Sequence, residues 1–245
     1  MTVQQYDEIG EAYEGFKTLP LARYPERGSF LRMLGDLTGK SVLDLACGTG
    51  FYTRQAKRLG AADVLGVDVS AEMVAAARAI EERAPMGVRY AVADGAELPP
   101  FERPFDAATA VYLLNYADDP AAMERMCRGV RRSLRPGGEF FVLTQAPGFR
   151  FDGPSTDKYG FRYVPEGESA VGRQVRITAL LDPPIEFLTH YPRRDVYEGA
   201  LAAAGFSEVT WVPLSVPEDG VAAFGAEFWE DFLVNPPLEM LHCRA

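Results

Sequence analysis

The sequence predicts an α/β fold with a doubly wound, mostly parallel seven-stranded sheet, because short apolar segments alternate with amphipathic helical ones. The apolar segments end beside acidic or glycine residues, as expected where strands lead into ligand-binding loops. Five strands are predicted over residues 41–44, 63–67, 88–92, 105–110 and 139–144. Helices are predicted near residues 51–59, 70–84 and 119–134.

The pattern changes after Ala146. Residues 147–192 are rich in Gly and Pro and contain period-two runs, which predict two or three inserted antiparallel strands. A helix over 195–204, closing strands over 206–214 and 237–244, and a helix over 224–233 follow. We expect one domain over 1–245, made of an N-terminal lid (1–30), a core (31–146), the insertion (147–192) and closing elements (193–245).

Local signals predict where two helices begin and end. Ser70 is a candidate N-cap for the second predicted helix. Asp119 can cap the third, with Pro120 at its first position and Gly137 at its end.

One glycine-containing loop indicates a nucleoside site. The first predicted strand ends in Asp44-Leu45-Ala46-Cys47-Gly48-Thr49-Gly50, where Gly48 and Gly50 allow a ligand close to the backbone and to the next helix N-terminus. The second strand ends at Asp68, where nucleotide-binding βαβ units have an acid for ribose hydroxyls. Thr53 replaces the third glycine of the dinucleotide fingerprint, and there is no phosphate loop. The sequence therefore favours a ligand with a ribose but no pyrophosphate, such as S-adenosylmethionine (SAM), over NAD.

Five segments resemble, in order, the motifs of class I SAM-dependent methyltransferases. They are residues 44–50, Asp68, residues 93–95, residues 104–116 and residues 134–140. The resemblance covers residues 34–146. It implies a Rossmann-like fold, SAM as cofactor and methyl transfer as the reaction.

The resemblance also implies roles for individual residues. Asp44 would anchor the amino group of the methionine end, and Asp68 would accept hydrogen bonds from both ribose hydroxyls. Ala46 departs from the commonest family pattern, which has glycine there. The other implied cofactor contacts are Gly48 and Gly50 through the backbone, Val69 and Met73 on the adenine, Asp94 and Gly95 at its edge, Ala110 or Val111 near the methionine, and Tyr24.

A narrower resemblance is to bacterial small-molecule methyltransferases of the toxoflavin synthase-like type. It is carried by residues 6–9, 50–54, 112–116 and 126–127. It implies a nitrogen or oxygen of a heteroaromatic natural-product intermediate as acceptor. Aromatic walls suit such an acceptor, because aromatic faces attract the sulfonium and stack on planar rings. The expected pocket residues are Tyr6, Tyr13, Phe16, Tyr112, Asn115, Tyr116 and His190.

His190 and Tyr13 are the candidate catalytic residues. In-line transfer from a sulfonium depends mainly on positioning, so a general base is needed only for a hydroxyl or a protonated amine. His190 ends a predicted strand of the insertion. Asn115 and Tyr116 stand where many members of the family have histidines, which argues against histidine chemistry at those positions.

Composition favours a protein that does not bind nucleic acid. The net charge is −10, and nucleic-acid binding relies on basic surface. The arginines at 125, 128, 131, 132 and 135 are read as the solvated face of one amphipathic helix. The three cysteines have no metal-site spacing and are expected to be free thiols. The start has no signal-peptide pattern and no segment suggests a membrane span, so we expect a cytoplasmic location and no metal.

Two other functions share parts of this pattern. A SAM-binding sensor or assembly partner would keep the glycine loop and need no acceptor pocket. An NAD-dependent oxidoreductase would keep the βαβ unit and bind NADH. We expect a methyltransferase acting on a small-molecule acceptor.

Overall fold

The computed structural model describes residues 15–245, and their strands form two sheets. Seven of these strands build the main sheet and three the smaller one. The strands are β1 (Ser41–Leu45), β2 (Asp63–Asp68), β3 (Arg89–Val92), β4 (Phe105–Val111), β5 (Leu134–Gln145), β6 (Phe161–Glu168), β7 (Gly172–Ala179), β8 (Ile185–Pro192), β9 (Ser207–Pro213) and β10 (Leu238–Arg244).

Seven α-helices lie within the described residues. They are α1 (Arg27–Leu34), α2 (Phe51–Arg58), α3 (Ala71–Arg83), α4 (Pro120–Ser133), α5 (Arg194–Ala203), α6 (Glu218–Phe224) and α7 (Glu230–Val234). A π-helical turn, Ala22–Glu26, precedes α1 and contains Pro25.

The main sheet has the order β3-β2-β1-β4-β5-β10-β9 over the described chain. Strands β1 to β5 pair in parallel, while β10 is antiparallel to both neighbours. The chain leaves β1 in one direction and β4 in the other, so the adjacent carboxyl ends of these strands form the crevice where open α/β sheets bind ligands. The predicted fold class is confirmed.

The second sheet is inserted between β5 and α5. Its order is β6-β7-β8, with antiparallel pairing throughout. The sequence predicted this insertion because period-two runs alternate buried and exposed positions, as β7 does.

The predicted N-caps are confirmed. Ser70 Oγ accepts a hydrogen bond from Met73 N at 3.2 Å, and Asp119 Oδ1 accepts one from Ala122 N at 2.7 Å. Gly137 does not end α4, which stops at Ser133. Gly137 instead has φ +72° inside β5.

The helix predicted over residues 224–233 is wrong in its bounds. Gly225 takes φ +83° and ends α6 at Phe224, and the next α-helix, α7, begins only at Glu230.

Two apolar clusters form the core. Within residues 15–245, no helix has the length and apolar character that a membrane span requires.

Candidate active site

A cavity of about 340 Å³ lies at the carboxyl ends of β1, β2 and β4, and we call it the rim cavity. Its size falls in the range of small-molecule sites. Eight of the residues expected to contact the cofactor line it: Ala46, Gly48, Asp68, Val69, Met73, Asp94, Gly95 and Val111. Its wall also includes residues that sequence reasoning did not assign: Ala93, Leu113, Asp118, Arg125 and Met126.

Two residues that line the rim cavity have an unusual backbone conformation. Ala46 has φ +52° and Tyr112 has φ +59°, a region that costs non-glycine residues about 1–3 kcal/mol. Ala46 follows β1 and Tyr112 follows β4, so both lie at the crevice between these strands. Tyr112 N donates to Leu143 O at 2.9 Å, which holds the turn against β5. Such strain at two adjacent strand ends marks this rim as a functional site.

Asp68 ties the glycine loop to the second strand. Its Oδ2 accepts a hydrogen bond from Gly48 N at 2.8 Å, and its Oδ1 accepts one from Ser70 N at 3.0 Å. Burial raises the pKa of the Asp68 carboxyl above its ordinary value. The carboxylate therefore lies at the cavity wall with lone pairs left for a donor, since each oxygen can accept more than one hydrogen bond.

Asp44 is placed differently from the sequence-based expectation. It is 1% exposed and does not line the rim cavity. Its two oxygens accept hydrogen bonds from Thr53 Oγ1 at 2.6 Å and from Thr109 Oγ1 at 2.7 Å. The carboxylate thus lies beneath the loop and joins β1, α2 and β4. A direct contact with the ligand's amino group has no support in this geometry.

Burial raises the pKa of Asp44 to about 6, and nearby Asp68 adds to the effect. Because this pKa exceeds the unfolded value of 3.8, the folded state binds the proton more tightly. The stability contributed by protonated Asp44 is complete below pH 3.8 and is lost as the pH rises through about 6. We therefore expect Asp44→Asn, which does not titrate, to gain up to about 3 kcal/mol of unfolding free energy relative to the wild type between pH 4 and 7.

Urea unfolding across this pH range measures the difference. Asp106→Asn provides the contrast, because the backbone N–H of Ser41 lowers the pKa of Asp106 and the sign reverses. A pH-independent difference between the wild type and Asp44→Asn would contradict the prediction.

A second, smaller cavity adjoins the first, and we call it the aromatic cavity. It measures about 50 Å³, so larger ligands require its wall to move. Tyr112 and Tyr116 line both cavities. The other wall residues are Phe16, Lys17, Leu21, Ala22, Glu26, Gln145, Phe161, Tyr163, Ile177, Phe187 and Leu238.

A buried ion pair lies in the wall of the aromatic cavity. Lys17 Nζ is 2.5 Å from Glu26 Oε1, and both side chains are at most 10% exposed. Tyr52 donates to Oε1 at 2.8 Å and Tyr112 donates to Oε2 at 2.7 Å. Lys17 Nζ also lies 4.6 Å from the ring centre of Tyr52 and 5.3 Å from that of Phe51. Sequence reasoning missed Glu26, since no local motif distinguishes it.

Several predicted site residues lie elsewhere. Tyr24 packs edge-on against Phe224 and Trp229 and lines neither cavity. Asn115 is buried and donates to Thr189 Oγ1 at 2.7 Å, which ties the turn after β4 to β8. Tyr6 and Tyr13 fall outside the described residues.

Three further candidates line neither cavity. His190 lines neither cavity, burial lowers its pKa, and its Nδ1 has no hydrogen-bond partner among residues 15–245. Gly50 and Ala110 are buried and absent from both linings.

The rim cavity fits a cationic nucleoside without phosphates. Asp68, Asp94 and Asp118 line it, with Arg125 as the single basic wall residue among those described. A pyrophosphate would meet three carboxylates, whereas a sulfonium and an ammonium would be attracted by them. Thr53 stands where the dinucleotide fingerprint has its third glycine. Its hydroxyl donates a hydrogen bond to Asp44.

Comparison with known proteins finds methyltransferases among the proteins similar to this chain. A family model described as a methyltransferase domain matches residues 42–138. The ubiquinone biosynthesis O-methyltransferase of Xanthomonas oryzae pv. oryzae (strain PXO99A) is 35% identical over 121 residues, which cover 49% of this chain and 49% of that protein. The enzyme of the same name from Sodalis glossinidius is 33% identical, covering 62% of this chain and 60% of that protein. The chain thus spans about half of the length of the first of these relatives and three fifths of the second.

Solved structures share the fold over most of the chain. An S-adenosylmethionine-dependent methyltransferase from Mesorhizobium loti superposes with a TM-score of 0.63 at 26% identity, covering 88% of this chain and 95% of that one. The [4+2]-cyclase SpnF shares the fold alone, with a TM-score of 0.64 at 19% identity over 98% of this chain and 93% of its own. The domain match identifies residues 42–138 as a methyltransferase domain, and the strand order and the rim cavity are those of the class I SAM-dependent methyltransferase fold, whose cofactor is SAM.

Proposed function

We propose that this chain transfers the methyl group of SAM to a nitrogen or oxygen atom of a planar heteroaromatic small molecule, an intermediate of natural-product biosynthesis. The observation that carries the proposal is the adjacency of the two cavities, which share Tyr112 and Tyr116. A ligand in the aromatic cavity would lie next to a ligand in the rim cavity, at the place where these two residues line both cavities. Such positioning is what a direct displacement requires.

The walls of the aromatic cavity support a flat acceptor. Phe16, Phe161 and Phe187 offer aromatic rings, and Phe16 lies 6.0 Å from Phe187, ring centre to ring centre. Aromatic rings stack on planar ligands and attract positive charge. We propose that the insertion, residues 147–192, roofs this pocket, because β6, β7 and β8 supply Phe161, Ile177 and Phe187 to its wall.

Of the two proposed acceptor atoms, the relatives support oxygen. The curated relatives are O-methyltransferases of ubiquinone biosynthesis by name. The fold alone does not decide the reaction, since a [4+2]-cyclase shares it. Bound SAM supplies an electrophilic methyl group, and this chain's part is to orient the acceptor and exclude water.

We expect Ala22→Leu to fill part of the aromatic cavity and to lower acceptor methylation at least tenfold, with S-adenosylhomocysteine (SAH) binding unchanged. Ala22 is 2% exposed and lines only the aromatic cavity. Transfer of radiolabelled methyl from SAM into a panel of heteroaromatic N–H and O–H compounds measures the first effect, and calorimetry with SAH the second. Ala202→Leu, on the exposed face of α5, is the matched control.

The same assays separate the alternative functions. A SAM-binding sensor or assembly partner would bind SAH and methylate no compound. An NAD-dependent oxidoreductase would gain melting temperature with NADH and none with SAH, since a ligand stabilises the state that binds it. Equal methylation by the wild type and Ala22→Leu would place the acceptor outside the aromatic cavity.

A further inference from the structure

The strongest unexplained feature of the site is the buried carboxylate of Glu26. It is 1% exposed and belongs to the π-helical turn Ala22–Glu26, a kind of turn that is frequent at functional sites. Its side chain lines the aromatic cavity and not the rim cavity. No residue role assigned so far explains why an acid lies among the aromatic rings.

The hydrogen bonds of Glu26 leave room for one more donor. Among the described residues, Lys17 and Tyr52 donate to Oε1, while Tyr112 donates to Oε2. A carboxylate has about four acceptor positions, so one remains, and it lies on Oε2. Oε2 is the oxygen bound to Tyr112, one of the two residues that line both cavities.

The other polar groups of the wall are poor proton acceptors. Burial raises the pKa values of Tyr112, Tyr116 and Tyr163 above the ordinary range, so their hydroxyls keep their protons. Lys17 carries a positive charge against Glu26, and Gln145 is neutral. His190 does not line this cavity. Glu26 is therefore the anionic group that the described wall of this cavity presents.

We propose that Glu26 recognises an N–H or O–H donor on the acceptor and takes its proton during methyl transfer. Lys17, Tyr52 and Tyr112 hold the carboxylate in position. The proposal rests on the proposed function and adds the chemical class of the acceptor: a neutral planar aromatic with a hydrogen-bond donor at the reacting atom. A cationic acceptor is disfavoured, because Lys17 already neutralises Glu26.

The step balances in atoms and charge. The lone pair of the acceptor nitrogen or oxygen forms the bond to the methyl carbon, and the electron pair of the broken sulfur–methyl bond stays on sulfur. The acceptor's N–H or O–H proton passes to Oε2, which leaves a neutral carboxylic acid at Glu26. That proton returns to solvent when the methylated product leaves.

The test uses pairs of ring compounds that differ in one donor: indole and benzofuran, benzimidazole and benzoxazole, phenol and fluorobenzene. Calorimetry on the SAH-loaded protein gives their affinities. Glu26→Gln removes the charge but leaves Lys17 buried without its counterion, which destabilises the fold. The variant K17M/E26Q removes both charges together and keeps the test available if the single variant does not fold. Glu139→Gln, which breaks the Lys40 ion pair at the opposite end of the sheet, is the control.

We expect the donor compound of at least one pair to bind the wild type and Glu139→Gln at least tenfold more tightly than its partner. In K17M/E26Q this ratio should fall to about one, while SAH affinity stays unchanged. Methyl transfer to the preferred compound should fall about 10²–10⁴-fold, as expected for the loss of a general base.

The proposal is overturned if no donor compound binds better than its partner, if none of the compounds binds, or if K17M/E26Q keeps the preference. A wild type that fails to bind SAH would instead refute the proposed function, so the two failures are distinguishable.

Discussion

Asp68→Asn is expected to weaken SAM binding about 100-fold, roughly 2.7 kcal/mol. The carboxylate lines the rim cavity and has acceptor capacity left after its bonds to Gly48 and Ser70. An amide keeps the shape but replaces one acceptor oxygen with a donor, so two ribose hydroxyls can no longer both donate to it. Hydrogen bonds to a charged group are about twice as strong as neutral ones, which sets the size of the loss.

Calorimetry with SAM measures this loss, and the melting temperature of the ligand-free protein checks that the loop persists. Asp63→Asn is the matched control. Asp63 begins the same strand, pairs with Arg89 at 2.8 Å and is half exposed at the opposite end. We expect its affinity for SAM to match the wild type. An affinity of Asp68→Asn within threefold of the wild type would refute the ribose-binding role.

Gly50→Ala is expected to destabilise the fold by about 3 kcal/mol or more. An ideal Cβ at Gly50 would lie 2.2 Å from Tyr90 Oη and 2.6 Å from Tyr90 Cε1. Gly50 also has φ +82°, which alanine adopts only with strain. The substitution therefore combines a backbone penalty with a clash against a ring that packs in the core.

Gly39→Ala isolates the backbone part of this effect. Gly39 has φ +77°, yet nothing lies within 4 Å of its ideal Cβ. Its alanine variant should lose only about 1 kcal/mol in urea unfolding. Adding Tyr90→Leu to the Gly50→Ala variant should restore part of the lost stability, because the substitution removes the clashing ring. Equal losses for Gly50→Ala and Gly39→Ala would show that Tyr90 does not restrict the loop.

Local sequence patterns were sufficient to predict the main sheet and its order of elements. Strands β1, β2 and β4 are short apolar runs beside a turn residue, and most of their residues are buried because the sheet is covered on both faces. The caps at Ser70 and Asp119 depend on contacts within three residues, so their signals are local. The glycine expected to end α4 and the helix expected over 224–233 were misplaced, because Gly137 takes its positive φ within β5, whereas Gly225 takes one that ends α6 at Phe224.

For the candidate site, too, sequence patterns predicted one group of residues correctly and misplaced another. Eight of the predicted cofactor contacts line the rim cavity, because parallel strands bring their carboxyl ends to one edge. Tyr24, Asn115 and His190 do not line either cavity, since their positions depend on how the N-terminal turn and the insertion pack. The sequence-based prediction placed Asp44 against the ligand, whereas its carboxylate accepts hydrogen bonds from two threonines beneath the loop.

The sequence by itself determined the fold class, the glycine loop and the acid at Asp68, because periodicity and turn chemistry act over a few residues. Only the tertiary structure decided that Glu26 meets Lys17 and Tyr112 in an aromatic cavity. Tyr112 lies 86 residues from Glu26 along the chain, and no local pattern encodes their approach. Their contact arises from packing between the N-terminal turn and the strand ends, where long-range burial sets which side chains meet.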